Sequence, residues 1–139
     1  MRIAALLVAL SLAVNLALSA APAFADDIAT AQGIIRAQEQ AFARDDATAA
    51  YSYAAPAIRE IFPAPDIFMS MVQKGYAPVY RHRSFDFGDS KSDGNWIAQH
   101  VRIIDANGEA WVALYTLEQQ ADGSYKITGC SLLKAGQAV

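Results

Sequence analysis

The apolar residues of this chain change their spacing once, near Tyr76, and that change limits the folds open to it. Before it, Ile28, Ala31, Ile35, Gln38 and Phe42 recur at three- and four-residue steps, with Ile34 and Ala41 widening the stripe. The spacing predicts an amphipathic helix from Asp26 to near Asp45, capped by Asp26 and Asp27, whose charge also suits the helix dipole. Gly33 lies inside it at a cost of about 1 kcal/mol against alanine, and is read as a mark of close packing.

Asp46 can cap a second short helix through Tyr51 and Tyr53. Pro56 restarts the chain, with Ile58, Ile61 and Phe62 as an apolar edge. Pro63 and Pro65 interrupt again, and residues 66–74 read as a further helix that Gly75 closes in a left-handed conformation. Beyond Tyr76 the period is two. Strands are expected at residues 79–87, 96–104, 110–119 and 125–133, joined by turns at 88–94, 105–108 and 121–123. Asn107-Gly108 and Asp122-Gly123 are dipeptides that tight hairpins favour. The expected class is α+β, with N-terminal helices packed on a four-stranded antiparallel meander sheet.

The first 25 residues belong to a different logic. Met1 and Arg2 precede an apolar run over residues 3–18, and Ala23-Phe24-Ala25 forms a small-x-small cleavage site. That order is expected of a secretory signal peptide cut at about Ala25/Asp26, leaving one domain over residues 26–139 in the periplasm or outside the cell. No membrane anchor is expected after cleavage. The net charge is −3, and one unit more negative without Arg2, so the chain lacks the basic footprint of a nucleic-acid binder. Cys130 is the single cysteine, so no intrachain disulfide can form, and burial is its expected state.

Counting outward from the turns assigns side chains to the two sheet faces. A first turn centred near Ser92 places His82 opposite His100, Ser84 opposite Ala98 and Asp86 opposite Trp96. Continued through the later turns, that face gains Trp111, Ala113, Tyr115 and Leu117, then Thr128, Cys130 and Leu132. The other carries Val79, Phe85, Phe87, Ile97, Val101, Ile103, Val112, Leu114, Ile127 and Leu133, diluted by Arg81, Arg83, Gln99 and Thr116. Both faces therefore have apolar area, so one packs on the helices and the other lines a pocket or meets a second copy.

Tyr80, His82, His100, Trp111, Tyr115 and Cys130 are the ligand-binding candidates, because they mix aromatic bodies with polar tips. His82, His100 and Asp86 are the only constellation suited to general acid–base work. His82, His100 and Cys130 include zinc-ligand types, but a thiolate two strands away is poorly placed, and no metal or cofactor is expected. Metalloprotease, dithiol, nucleophile-elbow and phosphate-loop motifs are missing from the sequence.

A longer pattern links these pieces: Tyr51-Ser52-Tyr53-Ala54-Ala55-Pro56-Ala57-Ile58, then Phe68-Met69-Ser70-Met71-Val72 leading into Gly75-Tyr76-Ala77-Pro78-Val79-Tyr80-Arg81. It ends on Asp122-Gly123-Ser124-Tyr125-Lys126-Ile127-Thr128-Gly129-Cys130-Ser131-Leu132. Together these resemble an exported bacterial family, domain of unknown function 4864, across nearly all of residues 26–139. The resemblance implies no activity, substrate or cofactor, so it assigns no catalytic residue. More loosely, helices preceding a curved antiparallel sheet are similar to the cystatin-like or nuclear-transport-factor-2-like architecture. That architecture holds isomerases and dehydratases as well as non-catalytic binding and dimerisation domains. This chain departs from it in having no clear strand between its helices.

The sequence thus leads to a non-catalytic exported domain that binds a small molecule or a protein and forms a homodimer through its sheet. The alternative is a small isomerase, dehydratase or hydrolase using His82 and His100 in a sheet-lined pocket.

Overall fold

The structure, a computed structural model, describes residues 23–136, with side chains placed from Asp26 onward. The apolar run of the expected signal peptide lies outside the described residues. Five helices precede four strands: α1 (Ala23–Ala43), α2 (Ala47–Ser52), α3 (Pro56–Ile61), α4 (Pro65–Gly75), α5 (Ala77–Tyr80), β1 (His82–Asp93), β2 (Trp96–Asp105), β3 (Ala110–Gln119) and β4 (Tyr125–Lys134). The strands form one antiparallel sheet in the order β1-β2-β3-β4, an α+β meander of the expected class.

The helices follow their local signals closely. Ala31, Ile35, Gln38, Ala41 and Phe42 of α1 are buried, the stripe that the spacing identified. Asp26 and Asp27 fall inside α1, which begins at Ala23, so neither caps it. The helix ends in a Schellman turn: Asp45 takes a left-handed φ of 57°, and Asp46 N–H donates to Ala41 O at 2.9 Å. Asp46 then caps α2 by accepting from Ala49 N–H at 3.0 Å. Prolines open α3, α4 and α5 within their first two positions, where the missing N–H has no cost.

Three expectations about this half change. Gly33 is exposed and an added methyl would meet open space, so close packing is not its reason. Gly75 stays helical instead of turning left-handed. The chain then runs into α5, which takes Val79 and Tyr80 out of the first strand because their N–H groups donate to Tyr76 O.

The sheet corrects the counting of faces. β1 and β2 meet in a two-residue turn, Gly94-Asn95, where Gly94 has a φ of +60°. The expected loop at 88–94 is therefore mostly strand, interrupted by a bulge between Phe87 and Ser90. His82 pairs with Asp105, and Asp86 pairs with Arg102. His100 lies beside the bulge, with its Cβ 3.6 Å from where a Cβ on Gly88 would stand. The second connection spans residues 105–109: a turn with Gly108 at φ 83°, closed by the N–H of Gly108 to Asp105 O and of Asp105 to Glu109 O. Five residues replace the four expected, which moves β3 to the other face relative to β2 and carries Cys130 and Leu132 with it, while a bulge opposite Thr116 keeps Ile127 on the face of Ile97, as expected.

The core face accordingly carries Phe85 and Phe87, Ile97, Gln99, Val101 and Ile103, Ala113, Tyr115 and Leu117, and Tyr125, Ile127 and Cys130. α1 lies across it. Gln99 sits at its centre, fully buried: its Oε1 accepts from Gln32 Nε2, and its own Nε2 donates to Gly88 O at 3.0 Å and His100 O at 2.8 Å. A buried amide thereby satisfies the carbonyls that the bulge frees. The outer face holds Asp86, Trp96, Ala98, His100, Arg102, Val112, Leu114 and Leu133. Trp96 and Leu133 are 48% and 50% exposed there.

Candidate functional site: a cavity between the helices and strands β3 and β4

A cavity of about 410 Å³ opens between the helices and the β3–β4 side of the core face. Its position follows from the packing. α1 packs on β1, β2 and β4, α5 on β2 and α3 on β4, while α4 rests on α2 and α5, leaving a gap above β3 and β4 that aromatic side chains line without filling. Phe62, Phe68 and Val72 form the roof, and Gln38 and Phe42 form the wall supplied by α1. Tyr115, Ile127 and Cys130 form the floor. Phe42 and Phe68 stack with centroids 6.3 Å apart, and Tyr51 and Phe62 flank Phe68 at 5.6 and 6.5 Å.

The roof is held by a few polar ties. Tyr51 donates its hydroxyl to Phe62 O at 2.7 Å, across the elbow between α3 and α4. Arg59 donates to Ala54 O and Tyr51 O and lies over the Tyr51 ring at 4.8 Å. A parallel bridge between Ala54 and Ile127 fastens this segment to the edge of β4, with Ala55 N–H donating to Ile127 O at 2.8 Å.

No charged side chain lines the cavity among the described residues. Its polar groups are few. Tyr76, Thr128 and Ser131 belong to the lining, and Tyr115 and Cys130 are cross-strand partners on its floor. Burial pushes the Cys130 thiol up to about 12, with Tyr115 pulling weakly the other way. Burial also drives the Tyr115 hydroxyl well above its ordinary value, reinforced by Cys130 and by Glu39. Both groups therefore keep their protons at neutral pH and act as hydrogen-bonding groups, not as bases or nucleophiles. Gln38, 4% exposed, donates from Nε2 to Ala50 O at 3.1 Å.

The structure separates the residues that the sequence grouped. Tyr115 and Cys130 share the cavity. Tyr80 stands outside the lining, its hydroxyl hydrogen-bonded to Asp45 and accepting from Gln73. His82 is half-buried at the start of β1, its ring 5.0 Å from that of Phe85. Its Nδ1 lies 2.9 Å from Pro78 O, which only accepts, so Nδ1 carries the proton. His82 Nε2 lies 3.5 Å from Glu39, and Arg36 holds the same carboxylate at 2.8 Å while donating to Phe85 O. His82 is thus tied into a polar cluster against α1. His100 and Asp86 are exposed on the outer face. The general acid–base constellation of His82, His100 and Asp86 therefore does not assemble, and Cys130, on the other face from His100, completes no set with the histidines.

Trp111 packs at the far edge of the core and donates its indole N–H to Asp105 at 2.9 Å. That bond, with the N–H groups of Glu109 and Asn107, holds the Asp105 carboxyl below its ordinary range. Arg81, the first of the consecutive basic residues Arg81-His82-Arg83, donates to Phe42 O and to Asp45, so its charge serves the end of α1. Sequence reasoning missed Gln38 as a site residue, although it placed Gln38 on the buried stripe. A polar residue in an otherwise apolar stripe was the signal.

Fold and site together define an α+β domain that encloses an uncharged, mainly apolar cavity between its helices and its sheet. The chain belongs to the family described as Domain of unknown function (DUF4864), whose model matches residues 24–138. No curated protein and no solved structure matches it. Among the described residues, no helix is long and apolar enough to cross a membrane.

Proposed function

We propose that this protein is an exported binding domain, not an enzyme, which holds a small and mostly apolar molecule in the cavity between its helices and strands β3 and β4. The observation that carries this reading is the cavity itself: about 410 Å³, within the range of small-ligand sites, lined by aromatic and aliphatic side chains with a few polar groups. Two further points support it. The polar groups of the cavity keep their protons at neutral pH, which suits recognition better than acid–base turnover. The family match begins at residue 24, leaving the charged-then-apolar leader outside it, as a signal peptide cut near Ala25/Asp26 and a periplasmic or secreted product would require.

Titration with the neutral fluorophore N-phenyl-naphthylamine tests the reading. Saturable enhancement at one site, reduced by Val72→Trp, is expected. Wild-type protein that gives no enhancement, and whose native mass carries no molecule removable by denaturation, would overturn it.

A second copy on the outer sheet face is the proposed partner. Trp96 and Leu133 stand half-exposed there, on the same face as the cross-strand partners Asp86 and Arg102, whose opposite charges a two-fold related copy can pair. A protein that stays monomeric at micromolar concentration in native mass spectra would remove this part and leave the cavity reading untouched. A redox role for Cys130 has the opposite expectation: with its thiol held near 12, native protein resists iodoacetamide at neutral pH and reacts once denatured.

A further inference from the structure

Gln38 supplies the cavity's most specific instruction. Its side chain is almost completely buried in α1, and Ala50 O, which can only accept, fixes which end of the amide faces α2: Nε2 donates there at 3.1 Å. The opposite end, Oε1, is left on the cavity side and receives no hydrogen bond from the described residues. That oxygen is not sealed from water, so it is an open acceptor in the lining, and a donor on a bound molecule can engage it in place of water.

The surroundings restrict that group further. The other polar side chains of the lining are Tyr76, Tyr115, Thr128, Cys130 and Ser131, and none brings a charge. Without a cation in the lining, a carboxylate or phosphate entering the cavity would lose its hydration and find no counter-charge. A ketone or ester, which only accepts, would leave Gln38 Oε1 as it is. An ammonium would have to be desolvated for neutral acceptors. What fits is a neutral donor on an apolar body.

Building on the cavity reading, we propose that the ligand is an uncharged hydrophobic alcohol or phenol whose hydroxyl donates to Gln38 Oε1 while its apolar body lies between Phe42, Phe68 and Tyr115. Gln38 is then the specificity residue of the site, and the aromatic walls supply affinity without selecting the functional group.

Calorimetric titration of the mature protein with naphthalene, naphthol and naphthoate tests this. The three share one ring system and differ only in the group offered to Gln38. Naphthol is expected to bind up to about tenfold tighter than naphthalene, the value of one net hydrogen bond, and naphthoate to bind weakest. Gln38→Met should erase the naphthol advantage while leaving naphthalene binding in place. Because Gln38 also ties α1 to α2, the variant could unfold. In that case the isotope-labelled side-chain amide of wild-type Gln38 is followed by NMR, and it is expected to shift with naphthol but not with naphthalene. Naphthoate or naphthalene binding as tightly as naphthol, or an amide signal indifferent to the hydroxyl, overturns the assignment of the ligand class. Failure of all three compounds to bind would instead count against the cavity reading beneath it.

Discussion

The sheet with α1 and the helical roof over the cavity are built to different standards. Ile97, Val101, Ile103 and Leu117 of the sheet are no more than 1% exposed, and α1 covers them with Ala31 and Ile35. By contrast, α3 contains no buried residue, and Ile61 at its end is 70% exposed. The first region is close-packed between α1 and the inner face of the sheet. In the second, α4 is anchored by buried Phe68, Met69 and Val72, while α3 is held by Tyr51, Arg59 and one β-bridge. The difference teaches where stability and adaptability reside: a packed sheet fixes the floor of the cavity, while α3, with no buried residue, can shift around an occupant.

The largest effect expected from this contrast is in the core. Ile103→Ala should cost about 2–5 kcal/mol in urea unfolding, whereas Ile58→Ala in the roof should cost about 1 kcal/mol or less. Equal losses would erase the distinction. Next comes the elbow: Tyr51→Phe removes the bond to Phe62 O and should cost about 1 kcal/mol, while raising hydrogen exchange in α3 and α4 more than in β2. An exchange increase spread evenly over the sheet would contradict a separately held roof.

A smaller effect, of opposite sign, is expected on the exposed side of α1. Gly33→Ala meets no neighbour and should stabilise by about 0.5–1 kcal/mol, seen as a raised urea midpoint. The smallest is a pH slope at the turn joining β2 and β3. Asp105 is held below its ordinary value by Trp111 and the turn N–H groups, so its contribution is complete above the ordinary aspartate range. It is lost as pH falls through the depressed folded value. Asp105→Asn should therefore show a shallower decline of Tm with acidification than wild type, and parallel curves would place the acid sensitivity elsewhere.

Much of the fold was legible because its signals are local. The stripe of α1, the cap at Asp46, the prolines at 56 and 65 and the switch to period two each act within a few residues. The number and order of strands followed from the same pattern. Register was not legible. A five-residue turn with left-handed Gly108 in its fourth position uses the same Asn-Gly pair as a shorter one, and the bulge in β1 depends on Gln99 reaching Gly88 O from the neighbouring strand. Those two details moved His100 and Asp86 to the outer face and brought Tyr115 and Cys130 to the floor of the cavity.

What the sequence determined by itself is therefore the class of fold, the helical stripe with Gln38 on it, and the family, because periodicity, caps and motifs are written in neighbouring residues. What only the tertiary structure decided is the site. A cavity is a volume that several elements fail to fill, and the direction of the Gln38 amide is fixed by Ala50, twelve residues away on another helix. Neither quantity is encoded at any one position, since each arises from how packed elements meet.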